Sequence, residues 1–364
     1  MGNGNDEVEL GSGDDDNHSG GGNGVTMVGG NVGVTLGNGN DEVEAERFNV
    51  GGNQGFLVSL GNGNDKVEAE RVTVTVNGIV APDGIAALDG IFAGNQGFIV
   101  SLGNGNDKVE AEKVTVNGTV PVSMAAIASA PVIGNEGFLV TMGDGNDKVE
   151  AENVTVSVSG AVVGPAPIAS NQGFGVMMGN GNDKVEAEKI TVTITGAAVA
   201  GNQGFGVQLG NGNDKVELEK VTVTGGQGLA VVVGNGRDEV DLGGDDGDWG
   251  SHHNSINVTG AVLVQLGTGK DELYADNVTV GGNFKVQKTG ANGKGAEVEL
   301  EHVTVSGNLN VNLAGDTGRD ELKVSHTTVN GTTTFTGGSG TNDDYDPGHG
   351  NSFATPPVVT GFEK

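Results

Sequence analysis

The sequence predicts an all-β protein, a parallel β-solenoid of roughly ten coils with about three short strands in each. Three observations carry that expectation. The pentapeptide GNGND or a near copy recurs along the 364-residue chain, the residues between copies alternate apolar and polar with a period of two, and glycine-rich turns punctuate the alternation. A unit of strand, turn and strand cannot bury its apolar side chains alone, so it has to stack on its neighbours.

With the aspartate of each turn as marker, copies fall at Asp6, Asp41, Asp65, Asp107, Asp147, Asp183, Asp214, Asp238, Asp271 and Asp320, and NGKGAEVELE carries Ala296 where another aspartate is due. The shortest spacing, 24 residues, is one uninterrupted coil; longer spacings, up to 42 residues, carry an insertion. In GFLVSLGNGNDKVEAERVTV, Phe56, Val58 and Leu60 share one face, followed by Val67 and Ala69 after the turn and then Val72 and Val74. Stacking at about 4.8 Å per coil turns equivalent residues into columns and ten coils into a rod about 50 Å long. Phe56, Phe98, Phe138, Phe174 and Phe205 form an internal aromatic column continued by Leu229, Phe284 and Leu309, and Asn53, Asn95, Asn135, Asn171 and Asn202 form an amide column at a corner. The repeat solenoid is expected over 36–338, with 1–35 as irregular or capping coils and 339–364 as a cap or linker.

Composition narrows the function. The 69 glycines have no strict period of three and lie between valine-rich strands, so they are turn residues and not collagen. With no cysteine there are no disulfides and no thiolate zinc sites. Forty-eight acidic against 18 basic residues give a formal net charge of −30, which repels nucleic acid and anionic membranes and makes divalent cations the natural counter-charge. No apolar run is long enough for membrane insertion as a helix. The start of the chain has no basic and apolar leader pattern, which by itself does not locate the protein; acidity without cysteine points to an extracellular or cell-surface setting.

The turn brings hard oxygens together. Glycines such as Gly61 and Gly63 permit positive φ and close approach of the next coil. Their carbonyls, with the aspartate, could supply the six to eight oxygens calcium prefers when two turns stack. Asn and Asp also cap turn backbone without any metal, so the residues alone leave both readings open.

LGNGNDKVE resembles the calcium-binding nonapeptide of the repeats-in-toxin (RTX) parallel β-roll family, GGxGxDxUx, with leucine in place of the first glycine. Copies stand at 36–44 (LGNGNDEVE), 60–68, 102–110 and 209–217 (LGNGNDKVE), 142–150 (MGDGNDKVE), 178–186 (MGNGNDKVE) and 233–241 (VGNGRDEVD). The resemblance implies several structural Ca2+ ions held by glycine carbonyls and aspartates. By position these are Asp41; Gly61, Gly63 and Asp65; Gly103, Gly105 and Asp107; Gly143, Gly145 and Asp147; Gly179, Gly181 and Asp183; Gly210, Gly212 and Asp214; and Asp238, Asp271 and Asp320. Two departures stand out: one nonapeptide per coil of at least 24 residues where the family packs two into 18, and the loss of the first glycine.

Outside the turn, Glu68, Glu110, Glu150, Glu186 and Glu217 form one outward row and Glu70, Glu112, Glu152, Glu188 and Glu219 another, beside Lys66, Lys108, Lys148, Lys184 and Lys215. Like charges stacked across strands destabilise, so the stack is expected to loosen without divalent ions. The insertions after the VTV strands are rich in Ala, Val, Ile and Pro, and either pack on the rod or present a surface for another copy or a partner. The segment DLGGDDGDWGSHHN at 241–254, with His252 and His253, is either a metal or ligand site or an exposed acidic loop; GSGDDDNHSGGG at 11–22 is similar in composition.

Three function classes follow. The first is a calcium-stabilised extracellular rod, an adhesin stalk, matrix component or fibre subunit without catalysis, able to associate end to end with other copies. The second is an ice-binding face made of outward Asn62, Asn64, Asn104, Asn106, Asn180, Asn182, Asn211 and Asn213. The third is a polysaccharide-binding or polysaccharide-cleaving β-helix, which needs a unique cluster of catalytic groups where this chain shows identical rows.

Overall fold

The computed structural model describes the chain except residues 1, 2, 12–24, 53, 54, 78–91, 94, 95, 120–131, 134, 135, 160–171, 196–202, 245–253, 291–293, 316, 341 and 364. Three sheets of twelve strands each wrap one continuous core, and every pairing within them is parallel. The glutamate sheet holds the KVEAE strands, from Glu7–Gly11 through Lys66–Glu70 to Asp344–Asp346. The threonine sheet holds the VTV strands, from Thr26–Val28 to Ser352–Phe353, and the phenylalanine sheet the GFLV strands, from Val32–Thr35 to Val358–Thr360. Successive strands of one sheet come from successive coils, so the fold is a parallel β-solenoid.

Among the described residues the rod has twelve coils where the repeat count suggested about ten, and the sheets continue on both sides of 36–338. The last turn, around Asp343, has Ser339 and Thr341 where the regular copies have glycines, and therefore escapes a search for the pentapeptide.

Alternation drives the burial. In Lys66–Glu70 the valine and alanine are buried while Lys66, Glu68 and Glu70 are half-buried at the surface. The register is coil on coil, Phe56 on Phe98 on Phe138 on Phe174 on Phe205. These rings are fully buried and stack at centroid distances of 5.3, 5.0, 4.7 and 4.6 Å. Val262 joins Leu229, Phe284 and Leu309 in the continuation of the column. The asparagine column expected at 53, 95, 135, 171 and 202 lies outside the described residues, as do most of each insertion and residues 245–253 with His252 and His253; Phe92–Ala93 and Val132–Ile133 form a separate two-stranded parallel pair.

The corner between the glutamate and threonine sheets is made by a single left-handed residue, such as Arg71 (φ 55°), Lys113 (57°) or Lys189 (57°). Its N–H is fixed by the next coil, as in Arg71 N–H to Glu112 O at 2.9 Å. Held this way, a non-glycine residue tolerates a conformation it would otherwise avoid, and Val72 is returned to the core.

Candidate functional site: an interior row of carboxylates

The GNGND turn is the third corner, and its composition follows from where its backbone donors go. In the turn at 61–66, Gly61 N–H bonds Gly37 O (3.0 Å), Gly63 N–H bonds Asn104 O (2.9 Å) and Lys66 N–H bonds Asp41 O (2.8 Å). The remaining three donors are met by side chains. Asn62 N–H reaches Asn38 Oδ1 (3.0 Å), Asn64 N–H reaches Asn40 Oδ1 (2.9 Å) and Asp65 N–H reaches Asp107 Oδ1 (2.9 Å). Both Asn positions and the Asp are thus backbone caps, the asparagines serving the following coil and the aspartate the preceding one.

Glycine is required by contact as well as by φ. Gly105 (φ 155°) lies so close to the preceding turn that a Cβ would sit 1.4 Å from Gly63 O. The second-glycine carbonyls therefore point at the next turn, while the first-glycine carbonyls of Gly61, Gly103 and Gly143 accept the N–H of the following coil's first glycine.

All of Asp41, Asp65, Asp107, Asp147, Asp183, Asp214, Asp238, Asp271 and Asp320 are at most 2% exposed. Their carboxylates run as a row inside the solenoid, each Oδ1 taking a backbone N–H from the coil before: Asp107 to Asp147, Asp147 to Asp183 and Asp183 to Asp214 all at 2.9 Å. The second oxygen is different. Oδ2 of Asp6, Asp41, Asp65, Asp107, Asp147, Asp183, Asp214 and Asp238 is buried with no hydrogen-bond partner. Burial, reinforced by the neighbouring carboxylates, pushes Asp107, Asp183 and Asp214 up to about 6 and Asp147 and Asp238 to about 7. A buried carboxylate oxygen without a protein donor is costly, and a proton, a cation or a trapped water relieves it.

At one coil the row contains its own cation. Lys288, 3% exposed, places Nζ 2.9 Å from Asp271 Oδ2 and 2.7 Å from Gly269 O. Gly269 is the second glycine of its turn, so the ammonium is held by one aspartate oxygen and one second-glycine carbonyl. The donors present at the other turns are the same, all hard oxygens, and they suit a cation of the calcium and magnesium class. Because Oδ1 caps the backbone, one carboxylate oxygen per coil is open to it. Lys288 was legible as an oddity: it stands where Leu266 and Leu313 stand in the adjoining coils, and its own coil has Ala296 in place of aspartate.

The outward acids are arranged otherwise. Lys66 bridges Glu42 (3.1 Å) and Glu68, Lys108 bridges Glu110 (2.6 Å) and Glu150 (2.8 Å), and Lys148 and Lys184 reach Glu186 and Glu217 of the following coils at 2.8 and 3.0 Å. Two lysines beside Glu150 hold its carboxyl down at about 2 against the effect of burial. Corner cations repeat the device, Lys189 joining Glu152 and Glu188 and Lys220 joining Glu188, all at 3.0 Å.

Two surface groups could also share an ion: Glu42, Glu44 and Glu68, which already flank Lys66, and Glu301, His302 and His326. His302 and His326 stack at 4.8 Å, with Asp276 Oδ1 3.0 Å from His302 Nδ1 and Glu301 Oε1 3.6 Å from His326 Nδ1. They occupy the left-handed corner that Arg, Lys and Asn fill elsewhere. The expected outward asparagines are exposed, but their Oδ1 atoms are used along the stack, as in Asn104 N–H to Asn62 Oδ1 and Asn106 N–H to Asn64 Oδ1. No family model, curated protein or solved structure matches the chain.

Proposed function

We propose that this protein is a calcium-stabilised, non-catalytic structural rod of the cell exterior, an RTX-like solenoid in which one edge of every regular coil takes part in ion binding. The observation that carries this reading is the row of buried Oδ2 atoms without partners from Asp6 to Asp238. The donor set of hard oxygens, without nitrogen or sulfur, favours calcium over transition metals. When bound, the ion would neutralise adjacent carboxylates. Asp65, Asp107, Asp147, Asp183 and Asp214 would contribute Oδ2 while their Oδ1 atoms keep the coils in register.

Ions that bind the stacked coils and not the loose acidic chain make folding conditional on their concentration, by linkage. A chain of this kind would remain weakly folded where free calcium is scarce and stiffen where it is plentiful, which suits an adhesin stalk, matrix component or fibre subunit. No helix of the described residues is long and apolar enough to cross a membrane.

The test is titration of chelator-stripped protein with calcium, following heat uptake and melting temperature together. Several ions bound with a large rise in melting temperature is the expected result. No heat and an unchanged melting curve would sink the reading and leave protons as the counter-charge of the row.

A further inference from the structure

Lys288 and Ala296 belong to the same coil, and the two departures from the repeat compensate each other. Register places Lys288 in the column of Leu102, Met142, Met178, Leu209, Val233, Leu266 and Leu313, all buried apolar residues. A lysine there has to bring its charge into the core, which is costly unless the ammonium finds acceptors. It finds Asp271 Oδ2 and Gly269 O, and both side chains of the pair are fully buried. In the next interval, where Ala296 N–H bonds Asp320 Oδ1 (2.8 Å), Asp320 Oδ2 accepts Gly338 N–H at 2.9 Å. The unbroken run of unpartnered oxygens therefore ends at Asp238; among the described residues beyond Lys288, only Asp343 in the last turn again has a buried aspartate Oδ2 without a partner.

We propose that the Lys288 ammonium is a tethered counter-ion, standing in the place that mobile cations take beside the preceding aspartates, and that it ends the ion-binding tract of the rod at Asp238. This rests on the reading of the aspartate row as a cation site and adds a residue that decides how many ions the row holds. The coil gives up one carboxylate and gains one ammonium, so the interval beside Asp271 is neutral without an ion. The coils of Asp271 and Asp320, whose second oxygens are met by Lys288 and by Gly338 N–H, then hold together at calcium concentrations that leave the N-terminal tract loose.

The experiment counts calcium ions by native mass spectrometry on the full chain, with melting curves in chelator and in calcium, for the parent protein, for Lys288→Met and for Lys288→Met with Ala296→Asp. Methionine is native to this column at Met142 and Met178, so the double variant restores a regular coil. Lys288→Met is expected to bind one calcium more than the parent, and to melt several degrees lower in chelator with the loss recovered in calcium. The double variant is expected to gain at least one ion, and it decides the matter if the single variant does not fold. A parent that binds calcium while the variants bind no more overturns the tethered counter-ion and leaves the function intact. A parent that binds none while Lys288→Met binds one overturns the function and leaves Lys288 as a cation surrogate; no uptake by any of the three overturns both.

Discussion

The outward glutamates and the inward aspartates are equally regular, yet only the glutamates find counter-ions in almost every coil. Each lysine of the glutamate sheet spans two coils, as Lys108 does between Glu110 and Glu150, so charge is balanced where water would have screened it anyway. Inside, where the low dielectric makes charge expensive, eight successive aspartates and Asp343 have an oxygen with no donor, and among the described residues only Asp271 of the row has a lysine. The contrast separates two jobs for acidic residues in one repeat: solubility and register outside, dependence on a bound cation or proton inside.

Four measurements break or sharpen that contrast. The largest effect is expected from pH in chelator, because it acts on many interior groups at once. Asp107, Asp147, Asp183, Asp214 and Asp238 rise from an ordinary 3.8 to about 6 or 7 on folding. The native state then binds protons more tightly than the unfolded chain, so stability is highest near the unfolded value and is lost as pH rises through about 6 to 7. Melting temperature in chelator should climb as pH falls from 8 to 5, and calcium should flatten the curve. Below that range the outward glutamates held low, such as Glu150 at about 2, lose their bridges and the trend reverses. A flat profile in chelator would show that the interior carboxylates have partners after all.

Next in size is Gly105→Ala, whose Cβ would lie 1.4 Å from Gly63 O. Backbone cannot yield by that much without parting two coils, and a loss of more than about 4 kcal/mol is expected, read as early urea unfolding. Asp147→Asn keeps the Oδ1 that accepts Asp107 N–H and removes the charge of the unpartnered oxygen. It should stabilise the protein in chelator by about 1–3 kcal/mol and remove calcium uptake at that coil. The smallest effect belongs outside: Glu150→Gln weakens contacts to Lys108 and Lys148, for about 0.2–1 kcal/mol, with the calcium count unchanged. Equal responses at Asp147 and Glu150 would erase the distinction between the two rows.

Much of this was legible in the sequence because a repeat averages out local ambiguity. The period of two that puts Val67 and Ala69 inside is enough to place Phe56, Phe98 and Phe138 in one column, and all three are fully buried. The same parity puts Asp65 inside, since it stands two residues before Val67, yet the usual preference of carboxylates for water argues against following it there. The capping role of Oδ1 depends on a neighbour 24 to 42 residues away and appears only once coils are stacked. Lys288 is matched by Ala296 in its own coil and His326 by His302 in the adjoining one, and a consensus, which discards single departures, hides both. The twelve-coil count fails to show for a related reason: the turn at Asp343 keeps the aspartate, with Asp320 N–H 2.9 Å from its Oδ1, but not the glycines that advertise it.

The two kinds of side-chain cap point opposite ways along the rod, and damage should therefore travel in a direction set by the residue removed. Losing Asn62 strands the Asn104 N–H of the following coil, whereas losing Asp65 strands the Asp41 N–H of the preceding one. Amide exchange would quicken towards the C-terminus in the first case and towards the N-terminus in the second. A stack that looks identical in every layer is thus mechanically one-way, and a fault in one layer is read by a different neighbour depending on which atom is missing.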